Sequence, residues 1–291
     1  MSFRTVFIEN SCRCSYSSGY LVVRKESETV KIHLSEIYSI ILQDEQVFIS
    51  AYLMAELAKN KIPLIVSDEK KNPVGQYLPL YGAHNVSKRV AEQLEWGEPV
   101  KKRVWQRVVK DKIEQQADLL ERKGHPEAGE LLALSADVRS GDTTNREACA
   151  ARQYFVTLFG GSFSRDDTTE LNAALDYGYA VLLSMVNREI AARGYLTQRG
   201  ICHRNEYNQF NLACDLMEPF RPIVDLLVID NLVDEFDQDL RRVLGDLGNK
   251  SVAYRGGVYK LSSVVSLYVQ DCLNALNKKC APADIEPFKM L

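Results

Sequence analysis

No apolar run in the 291-residue chain approaches the ~20 residues that a membrane helix requires. Met1 to Asn10 also lack the charged-then-apolar pattern of a secretory leader. Cysteine is present without a pattern: the seven thiols, at 12, 14, 149, 202, 214, 272 and 280, are odd in number and contain no CxxC pair. That excludes a disulfide framework and a zinc ribbon, and fits small reduced thiols in a reducing cytoplasm. Cys12 and Cys14 alternate along a strand-like run and are expected to face the same side. Histidine is scarce, with four residues, and repeats and low-complexity stretches are missing. Neither sign of charge dominates, since 36 Lys and Arg stand against 39 Asp and Glu for a net charge of -3. Any nucleic-acid surface must therefore be local. A hydrophobic share of 46% with 26% charged residues supports a proper core and excludes wholesale disorder.

The texture of the chain divides in two. Thr5–Ile8, Tyr20–Val23, Thr29–Ile32, Ile37–Ile41 and Pro63–Val66 are short β-branched or aromatic runs separated by turn formers, which predicts strands. One helix is expected among them, from Ser50 to Asn60. Around Leu80-Tyr81-Gly82-Ala83 the pattern changes to helical spacing. Helices are predicted over Asn85–Glu95, Val100–Lys123, Pro126–Leu134, Thr144–Phe159, Leu171–Arg193, Met217–Asp225, Asp234–Gly245 and Leu261–Asn277. The expectation is an α+β protein. A β-rich N-terminal domain (1–82), a hinge (83–87) and an all-helical catalytic domain (88–291) make it up.

Three stretches carry potential chemistry. In the first, Thr144 to Phe155, Thr144 and Glu147 have the spacing of a capping box, in which the carboxylate serves only a backbone N–H. Yet Glu147 heads a largely apolar face with Ala151, Tyr154 and Leu158, where a carboxylate must be paired, protonated or bound to a cation. In the second, Arg199 to Asn208, His203 lies in a polar loop; it is a surface group or a ligand. His33, on a strand, His84, in the hinge, and His125, before a proline, are less promising. In the third, Phe210 to Asp225, Asp215 and Glu218 stand one helical turn apart in an apolar run, and Arg221 and Asp225 continue that face. Pro219 suits a first helical turn and puts Glu218 near a helix N-terminus. Together Glu147, His203 and Glu218 form a possible oxygen–nitrogen–oxygen set. Such a set suits Mg²⁺ or Mn²⁺ better than zinc and fits phosphodiester chemistry. Spacing alone does not bring the three together.

The string Gly200-Ile201-Cys202-His203, followed by Phe210-Asn211-Leu212-Ala213-Cys214-Asp215-Leu216-Met217-Glu218-Pro219-Phe220-Arg221-Pro222, closely resembles the CRISPR spacer-acquisition integrases, the "Cas-one" family. The Glu-x-x-x-Ala-x-x-Tyr-Phe stretch from Glu147 matches that family's first motif in order and distance. The resemblance spans essentially the whole chain and is nearest to members from type II systems. It implies one divalent-metal site (Mg²⁺ or Mn²⁺) with Glu147, His203 and Glu218 as ligands and Asp215 as a neighbouring accessory acid. Many relatives carry Asp at the third position, so Glu218 is a longer-armed departure. It also implies a homodimer formed through the β domain. Two such dimers would flank a dimer of the small second adaptation subunit in a hetero-hexamer, with other type II CRISPR proteins as further partners and no membrane. The implied substrate is DNA: a prespacer 3′-OH attacks a phosphodiester at the leader end of the repeat array. When water replaces the 3′-OH, the same site cleaves DNA.

Phosphate contacts have to come from local patches. Lys101 to Lys112 carries six basic residues against one acidic, and Arg103, Arg107 and Lys110 share a helical face. That stripe is also readable as a solvated helix face paired to Glu114. Lys101 and Arg146 are further candidates, as are Arg188, Arg241, Arg242, Lys250 and Arg255. Tyr154 either orients DNA near the metal or is core. The competing functional classes are a non-catalytic DNA-end-binding scaffold on the same fold and a repair nuclease acting on branched DNA.

Overall fold

The computed structural model describes residues 4–26, 28–79 and 83–291. Part of the expected boundary, Leu80 to Gly82, lies outside the described residues. Strands dominate the first part: β1 (Arg4–Ile8), β2 (Cys12–Ser17), β3 (Tyr20–Arg24), β4 (Thr29–His33), β5 (Ile37–Leu42) and β6 (Val47–Ile49). A single helix, α1 (Ala51–Lys59), is capped by the Ser50 hydroxyl and precedes β7 (Leu64–Ser67) and β8 (Pro73–Tyr77). Helices follow: α2 (Val86–Leu94), α3 (Glu98–Arg122), α4 (Ala128–Ala136), α5 (Arg146–Phe159), α6 (Glu170–Ala192), α7 (Asn211–Met217), α8 (Arg221–Asn231) and α9 (Gln238–Gly245). The chain ends with β9 (Ser251–Tyr254), β10 (Gly257–Lys260), α10 (Leu261–Leu276) and β11 (Lys289–Met290). The α+β class expected from the sequence is the one observed.

The N-terminal strands form two four-stranded sheets, ordered β1-β5-β7-β8 and β4-β3-β2-β6. In the first, β5 runs parallel to both β1 and β7. It is buried along its whole length, as a central strand covered on both faces must be. Its side chains alternate between two cores. Ile37, Ile40 and Leu42 pack with Val6, Leu21, Leu53 and Leu57 between the sheets, whereas Tyr38 and Ile41 join the helical core. Cys12 and Cys14 do face the same way, buried, with their sulfurs 3.7 Å apart.

One departure concerns the region after Gly245, expected to be wholly helical. β9, β10 and β11 form a small antiparallel sheet ordered β10-β9-β11. Arg255 and Gly256 both take positive φ, +49° and +74°, in the tight turn between β9 and β10. Two four-residue strands and a two-residue strand, Lys289–Met290, are too short to show a clear period.

The axis of the helical part is α3, 25 residues long. Gly97 caps it, Pro99 fits its first turn, and Glu98 and Arg122 sit at the ends that suit their charges. Thirteen of its residues are buried, and they include Asp111 and Lys112 alongside Val104, Val108 and Leu119. α5, α7, α8 and α10 all pack on it. A lysine in mid-helix on such a face demands a counter-charge.

Candidate active site

Glu218 belongs to a single 3₁₀ turn, Glu218–Phe220, that joins α7 to α8 and packs on α3. Pro219 occupies the second position of that turn, within the opening residues where proline is tolerated. Glu218 Oε1 accepts from Arg221 Nε at 2.8 Å, and Glu218 Oε2 lies 2.5 Å from the ammonium of Lys112. The same ammonium donates to Glu147 Oε1 at 2.7 Å. Two carboxylates distant in sequence thus converge on one cation.

Glu147 is free to do this because it caps nothing. The Thr144–Glu147 box does not form. α5 is instead capped by Asp142, whose two carboxylate oxygens accept from the N–H groups of Arg146 (2.8 Å) and Glu147 (3.0 Å). Asp142 and Asn145 both adopt positive φ, and Thr144 Oγ1 is buried without a partner. The left-handed bend places Asp142, rather than Thr144, over the open end of the helix.

His203 is set by a separate clamp. Asp215, on α7, is fully buried. Its Oδ2 accepts from the backbone N–H groups of Ile201 (2.6 Å) and Cys202 (3.0 Å); its Oδ1 accepts from His203 N (3.0 Å) and pairs with His203 Nδ1 (2.6 Å). With Nδ1 engaged, Nε2 is the nitrogen left for chemistry, the arrangement common in metal-bound histidines. Trp105 meets the ring edge-on at 5.9 Å between centroids. The clamp requires glycine at 200, since a Cβ there would stand 2.5 Å from the His203 carbonyl oxygen and 2.7 Å from Asp215 Oδ2.

Charges in the site are mutually held. The Asp215 hydrogen bond raises the His203 pKa above its ordinary value against burial, and Glu218 and Glu147 add to the rise. Burial pushes the Glu218 carboxyl up, but Arg221 and Lys112 outweigh it and bring the group down to about 2. Burial also opposes the Lys112 charge, and Glu218 and Glu147 more than offset it. Below Glu218 the face continues to Asp225, which accepts from the hydroxyls of Tyr154 (2.7 Å) and Tyr179 (2.5 Å). Burial raises that carboxyl to about 6.

These residues test whether a divalent ion fits. Among the described residues no three His, Cys, Asp or Glu side chains already stand at ligating geometry; the Lys112 ammonium lies between the two carboxylates. The donor chemistry nevertheless suits a hard cation: two carboxylates converge on one mobile ammonium, with Arg221 on the other Glu218 oxygen, and an imidazole nitrogen remains free. Glu218 Oε2, buried, touches Lys112 only as an ion pair and lacks a regular hydrogen bond. Asp215 does not join the set, since both its oxygens are committed to the His203 loop.

A model of the family described as CRISPR associated protein Cas1 matches residues 6–236. The chain belongs to this family. A CRISPR-associated endonuclease Cas1 from Neisseria meningitidis serogroup C (strain 8013) is 41% identical over 230 residues, 79% of this chain and 76% of that protein. A namesake from Pyrobaculum aerophilum is 31% identical over 232 residues, 74% of this chain and 77% of that protein. Among solved structures, a casposase bound to integration product superposes with a TM-score of 0.77 at 19% identity, covering 97% of this chain and 92% of that one. A Cas1 protein from Thermotoga maritima gives 0.76 at 15% identity, with 99% and 100% covered. At such identities the structures speak for the fold. The expected family is borne out, and the relatives carry the name of an endonuclease, in keeping with the expected enzyme class.

The basic candidates fall in two places. Lys101, drawn to Glu98 at 2.5 Å, lines a polar cleft of about 460 Å³ together with His203, Arg199, Arg204 and Tyr207. Arg103, Arg107 and Lys110 do share a face and line a second cleft of about 350 Å³ against Ala281 to Ala283. Arg107 is partly spent on the buried Asp111 at 2.6 Å, and Arg146 on Asp137 at 2.7 Å. Tyr154 is corrected as a DNA-orienting side chain: it is fully buried and bonded to Asp225, so no strand reaches it.

Lys112 and Asp142 are the residues that sequence reasoning passed over. In the sequence Lys112 reads as the last member of a basic run. The signal lay in its spacing, because it falls four residues after Val108 and seven before Leu119, on the apolar face of α3. Asp142 carried no usable signal, since its capping role depends on two left-handed residues.

Proposed function

We propose that this chain is the CRISPR adaptation integrase, inserting prespacer DNA into the repeat array at a site built from Glu147, His203 and Glu218. The observation that carries this reading is the convergence of Glu147 and Glu218 on one cation, beside a histidine whose Nδ1 is locked by Asp215. A non-catalytic scaffold has no need of that arrangement. The main excuse for Glu147, service as a helix cap, is taken over by Asp142.

Glu147, His203 Nε2 and Glu218 would hold a Mg²⁺ or Mn²⁺ ion, which when bound supplies Lewis-acid polarisation of a phosphodiester and charge stabilisation at the leaving oxygen. The rest is done by the protein. Asp215 orients the imidazole and fixes its tautomer. Arg221, bonded to Glu218 Oε1 and seated 4.6 Å from the Tyr179 ring centroid, holds that carboxylate's rotamer. The polar cleft beside His203 receives the DNA end, and Lys101 and Arg204 on its wall offer phosphate contacts. The Arg103–Arg107–Lys110 face and Arg146 are secondary contacts. In the reaction one phosphodiester forms as another breaks, so no external energy source is needed.

The chain also shares its fold with part of a Cas6-RT-Cas1–Cas2 complex, at a TM-score of 0.75 and 19% identity, with 99% of this chain covered and 36% of that one. This supports the small second adaptation subunit as a partner. Pairing through the N-terminal sheets and a hetero-hexamer complete the proposed assembly.

The test is strand transfer of a labelled prespacer into a repeat-bearing plasmid with Mn²⁺ or Mg²⁺. Glu147→Gln, His203→Ala and Glu218→Gln should each lower product at least about 100-fold, in the range of single catalytic groups. Undiminished transfer in all three sinks the assignment.

A further inference from the structure

The ammonium of Lys112 occupies the middle of the carboxylate pair, 2.7 Å from Glu147 Oε1 and 2.5 Å from Glu218 Oε2. Its side chain is 11% exposed. With Arg221 on the other Glu218 oxygen, two carboxylates already face two cations, and the local charge is balanced. A divalent ion added to this set leaves two excess positive charges in a buried place, which is strongly disfavoured. One resident cation has to leave. Arg221 is fixed, by its bond to Glu218 Oε1 and by the Tyr179 ring 4.6 Å below its guanidinium. Lys112 is a point charge on a four-carbon stem with rotatable donors, and no ring holds it among the contacts described.

We infer that Lys112 is the resident counter-cation of the candidate metal site, so that a divalent ion enters only as the Lys112 ammonium withdraws from Glu147 and Glu218. The lysine is a positioning residue: it keeps the two carboxylates charged and together while the site is empty, and it sets the metal concentration at which the site fills. The inference rests on the metal reading above.

Calorimetric titration of the full-length chain with Mn²⁺ alone tests it, read beside the melting temperature without metal. Lys112→Met keeps the apolar stem and removes the charge. It should melt lower than wild type when metal-free, bind Mn²⁺ at least about tenfold more tightly, a gain of about 1.4 kcal/mol, and regain its melting temperature as Mn²⁺ is added. Should that variant fail to fold, Lys112→Gln retains an amide donor to the carboxylates and should show the same tightening. Mn²⁺ affinity equal to or weaker than wild type in the folded lysine variants, with binding abolished in Glu147→Gln, overturns the role of Lys112 and leaves the metal site standing. No Mn²⁺ binding by wild type or any lysine variant overturns the metal reading itself.

Discussion

At residue scale the site depends on Asp215 and on a glycine. Asp215 gathers three consecutive backbone N–H groups and the His203 ring on one carboxylate. Such charge-assisted bonds are stronger than neutral ones. The loop can close on it only because residue 200 has no side chain. Gly200→Ala should therefore displace the His203 loop. We expect strand transfer to fall by at least about tenfold, with a stability loss of only about 1–3 kcal/mol, the usual cost of a forced shift in a packed region. Transfer assays beside urea unfolding check both; full activity in a stably folded variant contradicts the clamp. His203 and Asp215 were legible in the chain as chemistry, but their partnership was not, since twelve residues and an irregular loop separate them.

The elements matter through their ends. α5 presents Glu147 in its first turn only because another carboxylate has taken over the capping. Asp142→Ala should cost about 1 kcal/mol, within the range for lost N-caps. Thr144→Ala should be nearly neutral, because the Thr144 hydroxyl has no hydrogen-bond partner. Chemical denaturation of the two variants, followed by circular dichroism, reads the difference; the reverse order restores the Thr144–Glu147 box. The boundaries of α3, α6 and α10 could be read from apolar spacing to within two residues. The break between α7 and α8 could not, because Glu218 to Phe220 continue the same direction as a 3₁₀ turn.

For the whole molecule, the sheet β1-β5-β7-β8 is the wall between two cores. Ile41, fully buried, belongs to the helical core although it lies on a strand of the N-terminal sheet. Ile41→Ala should lose about 2–5 kcal/mol, as large-to-small core changes do. Helical signal at 222 nm should shift to lower urea together with the signals of the strands. Helices that unfold at an unchanged midpoint would show two independent units. The net charge of -3 is likewise a global quantity that says little about the clefts, where Lys101, Arg199 and Arg204 gather beside His203.

Local pattern alone determined the division into β-rich and helical parts, the one helix among the strands, and the residue types that carry the chemistry. Those properties depend on periodicity and on side-chain identity, which short stretches hold within themselves. Tertiary structure alone decided that Asp142 caps α5, that Tyr154 is core, and that Lys112 stands between Glu147 and Glu218. The first depends on left-handed backbone at Asp142 and Asn145, and the other two on groups 71 and 106 positions apart meeting in space. Burial and pairing at that range are set by packing, and no window of sequence contains it.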